Sequence, residues 1–303
     1  MANRIDEVDL DAHAARIYRQ DRVATGILTA IVAFVLAFLA AIVAFIVFQG
    51  IGKALSPGFL TTPPAADVNP GISSELFDSF YMLVITLLIS VPISLGAAIF
   101  LAEYAPDNWV TKAASTAIET LSSLPSIVVG MFGSLFFVVT LGWGISILAG
   151  AMALTMFNIP ILVRVIQQAL EDVPRSQRDA GLAMGLTRWE TTIHVLLPAA
   201  MPAIVTGIVI SAGRVFGEAA ALIFTSGSAA VNINFASMNL ASPRNPWNVF
   251  RPAETLAVHI WKLKMEPSPA TTRLSGAPPA SSSSACSCSM WSHVSWARRW
   301  PRR

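Results

Sequence analysis

Residues 26–48 read GILTAIVAFVLAFLAAIVAFIVF, a run of 23 residues that carries no charge. A helix of that length is about 35 Å long at 1.5 Å per residue, enough to cross a hydrocarbon core of about 30 Å. Inside lipid every backbone N–H and C=O must be satisfied within the segment, so such a run is a helix. The rest of the chain agrees: 54% of its 303 residues are hydrophobic and 13% are charged, against about 25% charged in soluble domains. The chain reads as an integral membrane protein. A net charge of +2 is too small to imply nucleic acid. Cys286 and Cys288 are the only cysteines, so there is no disulfide framework. The polar start and the long first apolar run do not fit a cleavable signal peptide.

Further spans are expected over about 79–101, 117–141, 145–170 and 199–225, giving an all-α bundle of five spans. Pro92, Pro125 and Pro160 fall inside them, which membrane bundles tolerate because neighbouring helices re-satisfy the freed backbone groups. The chain divides into a polar N-terminal segment (1–25), the first span (26–48), a second block (75–263) and a dissimilar tail (264–303). Arg4, Arg16, Arg19 and Arg22 precede the first span, and Lys53 alone follows it closely. That asymmetry places the N-terminus in the cytoplasm. Counting spans forward then puts 171–198 in the cytoplasm as well, with Arg175, Arg178 and Arg188. The segment after the fifth span, expected outside, holds Arg244, Arg251, Lys262 and Lys264 and runs against the same rule.

Within 171–198 lies RDAGLAMGLTRWETTIHVLLP (178–198), which reads as two short helices joined at Gly185. Pro174 suits the first turn and Asp172 is a candidate cap. Gly185 is placed to end the first helix in a left-handed cap. Thr187-Arg-Trp-Glu190 has capping-box spacing, and Pro198 begins the next span. A helix offered between two spans suits docking into a groove on a soluble partner. The blander reading is a loop that happens to contain a helix. A DNA-reading helix-turn-helix needs a basic recognition face, and the second helix offers only Arg188.

Arg214 and Glu218 fall inside the fifth expected span at i, i+4, on one helix face. Each intramembrane ion costs about 2.5–3.5 kcal/mol on insertion scales. Two readings stay open: a structural ion pair that lets the span insert, or a pair lining a pathway, where an arginine fork suits a phosphate-like oxyanion. Gly213 and Gly217 form a G-x-x-x-G that allows close helix approach. The histidines at 13, 194, 259 and 293 have no metal-ligand spacing. There is no G-x-x-x-x-G-K-[ST] and no catalytic constellation, so no metal or cofactor is expected on this chain.

The spacing in 178–198 resembles the EAA loop of binding-protein-dependent ABC importer permeases, E-A-A-x3-G-x9-I-x-L-P. Asp179-Ala180-Gly181 stands for EAA, Gly185 for the glycine, and Val195-Leu196-Leu197-Pro198 for I-x-L-P. Two departures are Asp for Glu and Gly for the second Ala. From about 79 to 263 the chain is similar to phosphate importer permeases of the A type, through FLAEYAP (100–106), LPSIVVGMFG (124–133), GRVFGEAAALIFT (213–225) and RPAETLAVHIWKL (251–263). The resemblance implies a type I ABC importer permease in a bacterial cell membrane, importing inorganic phosphate. The loop would couple it to two ATP-binding cassette subunits, which bind the ATP. A homologous second permease and an extracytoplasmic phosphate-binding protein would complete the complex. It also implies that Arg214 and Glu218 line the translocation pathway and that Gly213 and Gly217 pack helices. Rivals are a permease for another oxyanion or an amino acid, a secondary transporter, which should show inverted repeats and broken helices, and a membrane scaffold.

The resemblance stops near Leu263, where a sixth span is expected. Between Ser281 and Trp300, 13 of 20 residues are Ser, Cys or Trp. Most serine codons, and all cysteine and tryptophan codons, begin with T. Read one base upstream they become N-T-N, which always encodes Phe, Leu, Ile, Met or Val. A frameshift near Lys264 is therefore expected to have replaced the sixth span, leaving Cys286 and Cys288 without a role. Translating the alternative frame of the resequenced gene should give an apolar run of about 20 residues; a polar run there sinks the idea.

Overall fold

The structure, a computed structural model, describes residues 3–62, 71–229, 231, 233–234, 239 and 242–265. Residues 266–303, with the expected frameshift product, lie outside the described residues. The chain forms two units, 1–60 and 61–303, each treated by itself. Among the described residues every regular element is helical, as expected of an all-α membrane chain.

The first unit is one helix, α1 (Asn3–Ala54), 52 residues long. The helix does not begin with the apolar run: it continues through the polar segment assigned to 1–25, since nothing between Asn3 and Gly26 is a helix breaker. Its stretch from Gly26 to Phe48 carries no charge, as a helix facing lipid requires.

The second unit is a bundle around α5 (Ile147–Glu171). Against it pack α2 (Ser73–Ile99), α3 (Trp109–Ser122), α4 (Ser126–Gly133), α8 (Leu197–Phe216) and α9 (Ala220–Thr225). The polarity is reversed relative to a soluble protein. On α2 the buried face carries Glu75, Asp78, Ser79, Thr86, Ser90 and Ser94, while Phe80, Val84, Leu88 and Ile93 point outward. Asn158 on α5 donates to Ser90 Oγ at 3.1 Å and accepts from Ser211 Oγ of α8. These bonds satisfy polar groups that lipid could not.

Two expected spans are broken. The third, 117–141, splits at Ser123–Pro125 into α3 and a helix over 126–140, bent by 97°. Pro125 has φ −61° and ψ 131°, and proline drives the residue before it away from the helical region. The bend is a broken span or a re-entrant loop, so among the described residues the bundle holds three uninterrupted membrane-length helices, and α1 makes a fourth. The fifth span, 199–225, ends early: α8 stops at Phe216, and α9 resumes at Ala220. Broken helices, which the sequence did not show, are thus present at Ser123–Pro125 and after Phe216.

Short π-helical turns extend α2 (Phe100–Tyr104) and α4 (Ser134–Thr140) and join α7 (Arg188–Thr191) to α8 (Thr192–Leu196). Close crossings use small residues. A Cβ on Gly130 would stand 2.5 Å from the Ala221 Cα, and one on Gly133 would stand 2.8 Å from Ala153 Cβ. The first of these would meet backbone, which cannot rotate away. Gly130→Val should therefore force α4 and α9 apart at a cost of about 1–3 kcal/mol or more. Its melting temperature in detergent should fall well below the parent's; an unchanged melt would show that the contact is looser than described.

Candidate functional site: a capped helix pair and a charged helix end

The segment between α5 and α8 folds as two helices. α6 (Arg175–Ala183) starts after Pro174, which occupies the cap position itself at φ −55° and ψ 135°. Asp172 does not cap it; it ends α5 and accepts from Gln168 Nε2 at 2.8 Å. At the other end Gly185 has φ +84°. Its N–H donates to Leu182 O at 3.0 Å, and Leu186 N–H to Gly181 O at 3.3 Å. That pair of bonds is a Schellman cap. The capping box of α7 is complete: Glu190 N–H donates to Thr187 Oγ1 at 3.2 Å, and Thr187 N–H to Glu190 Oε2 at 2.8 Å.

The residues matched to the EAA pattern separate by position. Asp179 and Ala180 are exposed on α6, Gly185 is exposed at its end, and Gly181 is buried. A Cβ on Gly181 would meet Thr191 Cγ2 at 2.7 Å and Oγ1 at 3.0 Å. The two short helices touch there, which accounts for glycine where the pattern has alanine. Val195 lies in the π-turn, half-buried, with Leu197 half-buried and Pro198 exposed at the start of α8. The fully buried residue of that group is Leu196, which no pattern position specifies. Pro198 lies in the first turn of α8 but does not interrupt the chain, which is helical from Arg188 to Phe216: the π-turn at Thr192–Leu196 lies just before it, where a proline would otherwise cost an α-helical hydrogen bond. Around the cap, Leu182, Met184 and Trp189 are exposed, an apolar rim that the loop pattern alone did not reveal.

One link to the bundle was missed in the sequence. Arg178 of α6 pairs with Glu103 of the π-turn that ends α2. Glu103 is largely buried, and the Arg178 Nε has no hydrogen-bond partner among the described residues. The glutamate sits in FLAEYAP, a stretch noted above only for its resemblance.

At the far end of α8, Arg214 and Glu218 do not share a helix. α8 ends at Phe216 with Gly217 as its C-cap, so the i, i+4 face is broken. The described residues show no ion pair between them. Arg214 is exposed in this single chain, with its guanidinium 4.3 Å from the centre of the buried Phe157 ring. Its charge also suits a helix C-terminus. Glu218 Oε1 accepts from Ala221 N–H at 3.3 Å and so caps the start of α9. Gly213 has nothing near its missing Cβ, and Gly217 only its own helix. Within the chain the G-x-x-x-G face is open; the helix contact on α8 is at Gly207, against Val165.

A second charged group joins α2 to the segment before α10 (Leu256–Met265). Arg251 forms a forked, fully buried pair with Asp78, with Nη1 3.0 Å from Oδ2. Beside it Glu254 contacts His259 Nδ1 at 2.8 Å and Lys262 Nζ at 3.2 Å. Glu75 stands 3.9 Å from the same His259 nitrogen. Sequence spacing could not show this, since Glu75 and His259 lie at opposite ends of the bundle's sequence.

The fold is thus an all-α bundle of membrane-length helices with a capped helix pair held between two of them. The model of the binding-protein-dependent transport system inner membrane component family matches residues 94–245, and the chain belongs to that family: it is a permease of an ABC importer. It is 49% identical over 247 residues to the probable ABC transporter permease protein YqgI of Bacillus subtilis, covering 81% of this chain and 84% of that one. It is 31% identical over 254 residues to the phosphate transport system permease protein PstA of Yersinia pestis, covering 82% and 80%. The MetNI methionine ABC transporter, in an inward-facing crystal form, matches with a TM-score of 0.47 at 19% identity, over 75% of this chain and 90% of that one.

Two substitutions test the helix pair. Gly185→Val meets no neighbour, so its cost is the backbone's alone, about 1–2 kcal/mol for a side chain in the left-handed region. It should loosen the pair and reduce co-purification of the ATPase subunits; full co-purification with normal uptake would refute this. Glu103→Gln leaves Arg178 without its counter-charge, at about 1.5–3 kcal/mol. It should leave ATP hydrolysis intact while lowering uptake per ATP; a normal ratio would leave the pair no part in coupling.

Proposed function

We propose that this chain is the A-type permease subunit of an ATP-driven importer of inorganic phosphate. The supporting observation is the 31% identity to a phosphate transport permease over four-fifths of both chains. The stretches that resemble such permeases include both Arg214 and Glu218.

In this reading the N-terminus and the helix pair face the cytoplasm. One ATP-binding cassette subunit docks on α6, against the exposed Leu182, Met184 and Trp189. A second docks on a homologous permease, whose helices cover the open Gly213 face. ATP hydrolysis belongs to those partners. An extracytoplasmic binding protein delivers phosphate to the opposite face.

Movement of α6 reaches the bundle by two routes: the Arg178–Glu103 pair into α2, and the unbroken helix from Arg188 to Phe216. Both carry a rigid-body rearrangement that exposes the pathway alternately to the two sides. Arg214 presents a planar fork of donors to a phosphate oxyanion. The Phe157 face holds the guanidinium by cation–π attraction without using up its N–H groups. Glu218, beyond the break, repels the anion and prevents its trapping.

The test is the reconstituted complex. Phosphate-loaded binding protein should stimulate ATP hydrolysis and drive uptake. Arg214→Gln should assemble normally and lose uptake at least a hundredfold. Normal uptake would make Arg214 structural at most, and stimulation by sulfate, molybdate or an amino acid instead would move the substrate assignment.

A further inference from the structure

The group formed by Glu75, Glu254 and His259 carries more acidic than basic side chains. Asp78 is neutralised by the forked Arg251, and Glu254 is met by Lys262. Glu75 has no such cation. It is 0% exposed, and neither carboxylate oxygen has a hydrogen-bond partner among the described residues. A buried carboxylate left in that state costs several kcal/mol. Its Oε1 faces His259 Nδ1 at 3.9 Å, and that nitrogen faces Glu254 Oε1 at 2.8 Å. The three donor atoms all lie within 4.8 Å of one another.

We propose that Glu75, Glu254 and His259 form a binding site for a divalent transition-metal cation such as Zn2+. With bonds of about 2.1 Å, tetrahedral ligands stand about 3.4 Å apart. The two separations from His259, 2.8 and 3.9 Å, bracket that value, and the two carboxylate oxygens lie within 4.8 Å of each other, so side-chain shifts close the site. Two carboxylates balance a dication, and the imidazole adds a neutral donor. One nitrogen with two oxygens favours zinc and its neighbours over Mg2+ or Ca2+, which take oxygen. Lys262 is the competing cation. It is partly exposed and already donates to Ser228 O at 2.7 Å, so it can release Glu254 and keep a partner. The donors come from the first turn of α2, from α10 and from Glu254 two residues before α10, so the ion would fasten the two segments together. The site is independent of which substrate the permease carries.

The full chain, purified in detergent and stripped with a chelator, is titrated with Co2+ by visible absorption, with Zn2+ as competitor. The expected result is one Co2+ per chain, displaced by Zn2+ and not by millimolar Mg2+. Glu75→Gln and His259→Gln should each weaken binding at least tenfold at unchanged helical circular dichroism, and Lys262→Met should tighten it. Absence of saturable Co2+ or Zn2+ binding by the parent chain would overturn the proposal, whether or not the variants fold. So would binding that survives both Glu75→Gln and His259→Gln within threefold, or that weakens in Lys262→Met.

Discussion

A bilayer offers no hydrogen bonds, and that constraint orders the whole bundle. The polar side chains of α2 turn inward onto α5, where Ser90, Asn158 and Ser211 satisfy one another across three helices. Apolar side chains turn outward, where a soluble protein would place its charges. With lipid as apolar as leucine, burial cannot hold helices together, so close approach must. Gly130 against Ala221 and Gly207 against Val165 are the result. The site inherits its rigidity from these contacts, because α5 and α8 are packed before either helix reaches the connecting pair.

The long apolar runs were legible because hydropathy acts over a whole span, and the helix pair was legible because its punctuation is local. Gly185, Thr187 and Glu190 need only their immediate neighbours to adopt their roles, and they do so. The breaks were not legible. Pro125 was counted among tolerated prolines, yet here it ends a helix and turns the chain by 97°. Pro92, Pro160 and Pro202 sit inside intact helices. No single-residue rule separates Pro125 from the other three. The end of α8 was missed for a similar reason: Gly217 in a small-residue pattern reads equally as a contact or as a stop.

The charged residues divide along the same line. Arg214 and Glu218 were visible as intramembrane ions, but their geometry depended on that unseen break. The pairs Arg178–Glu103 and Arg251–Asp78 join residues distant in sequence, so only the fold brings them together. Three of the four partners lie in or beside stretches that had carried the family resemblance.

The π-turn at Thr192–Leu196 has a consequence for the phase of α8. A π-turn amounts to one residue inserted into an α-helix, and one residue is about 100° of rotation about the axis. The turn therefore sets the azimuth of every side chain beyond it. Straightening it would swing Arg214 a quarter-turn off the Phe157 ring while moving it along the axis by only about 1.5 Å. Which way the arginine faces is thus decided at the opposite end of its helix, beside the capped helix pair.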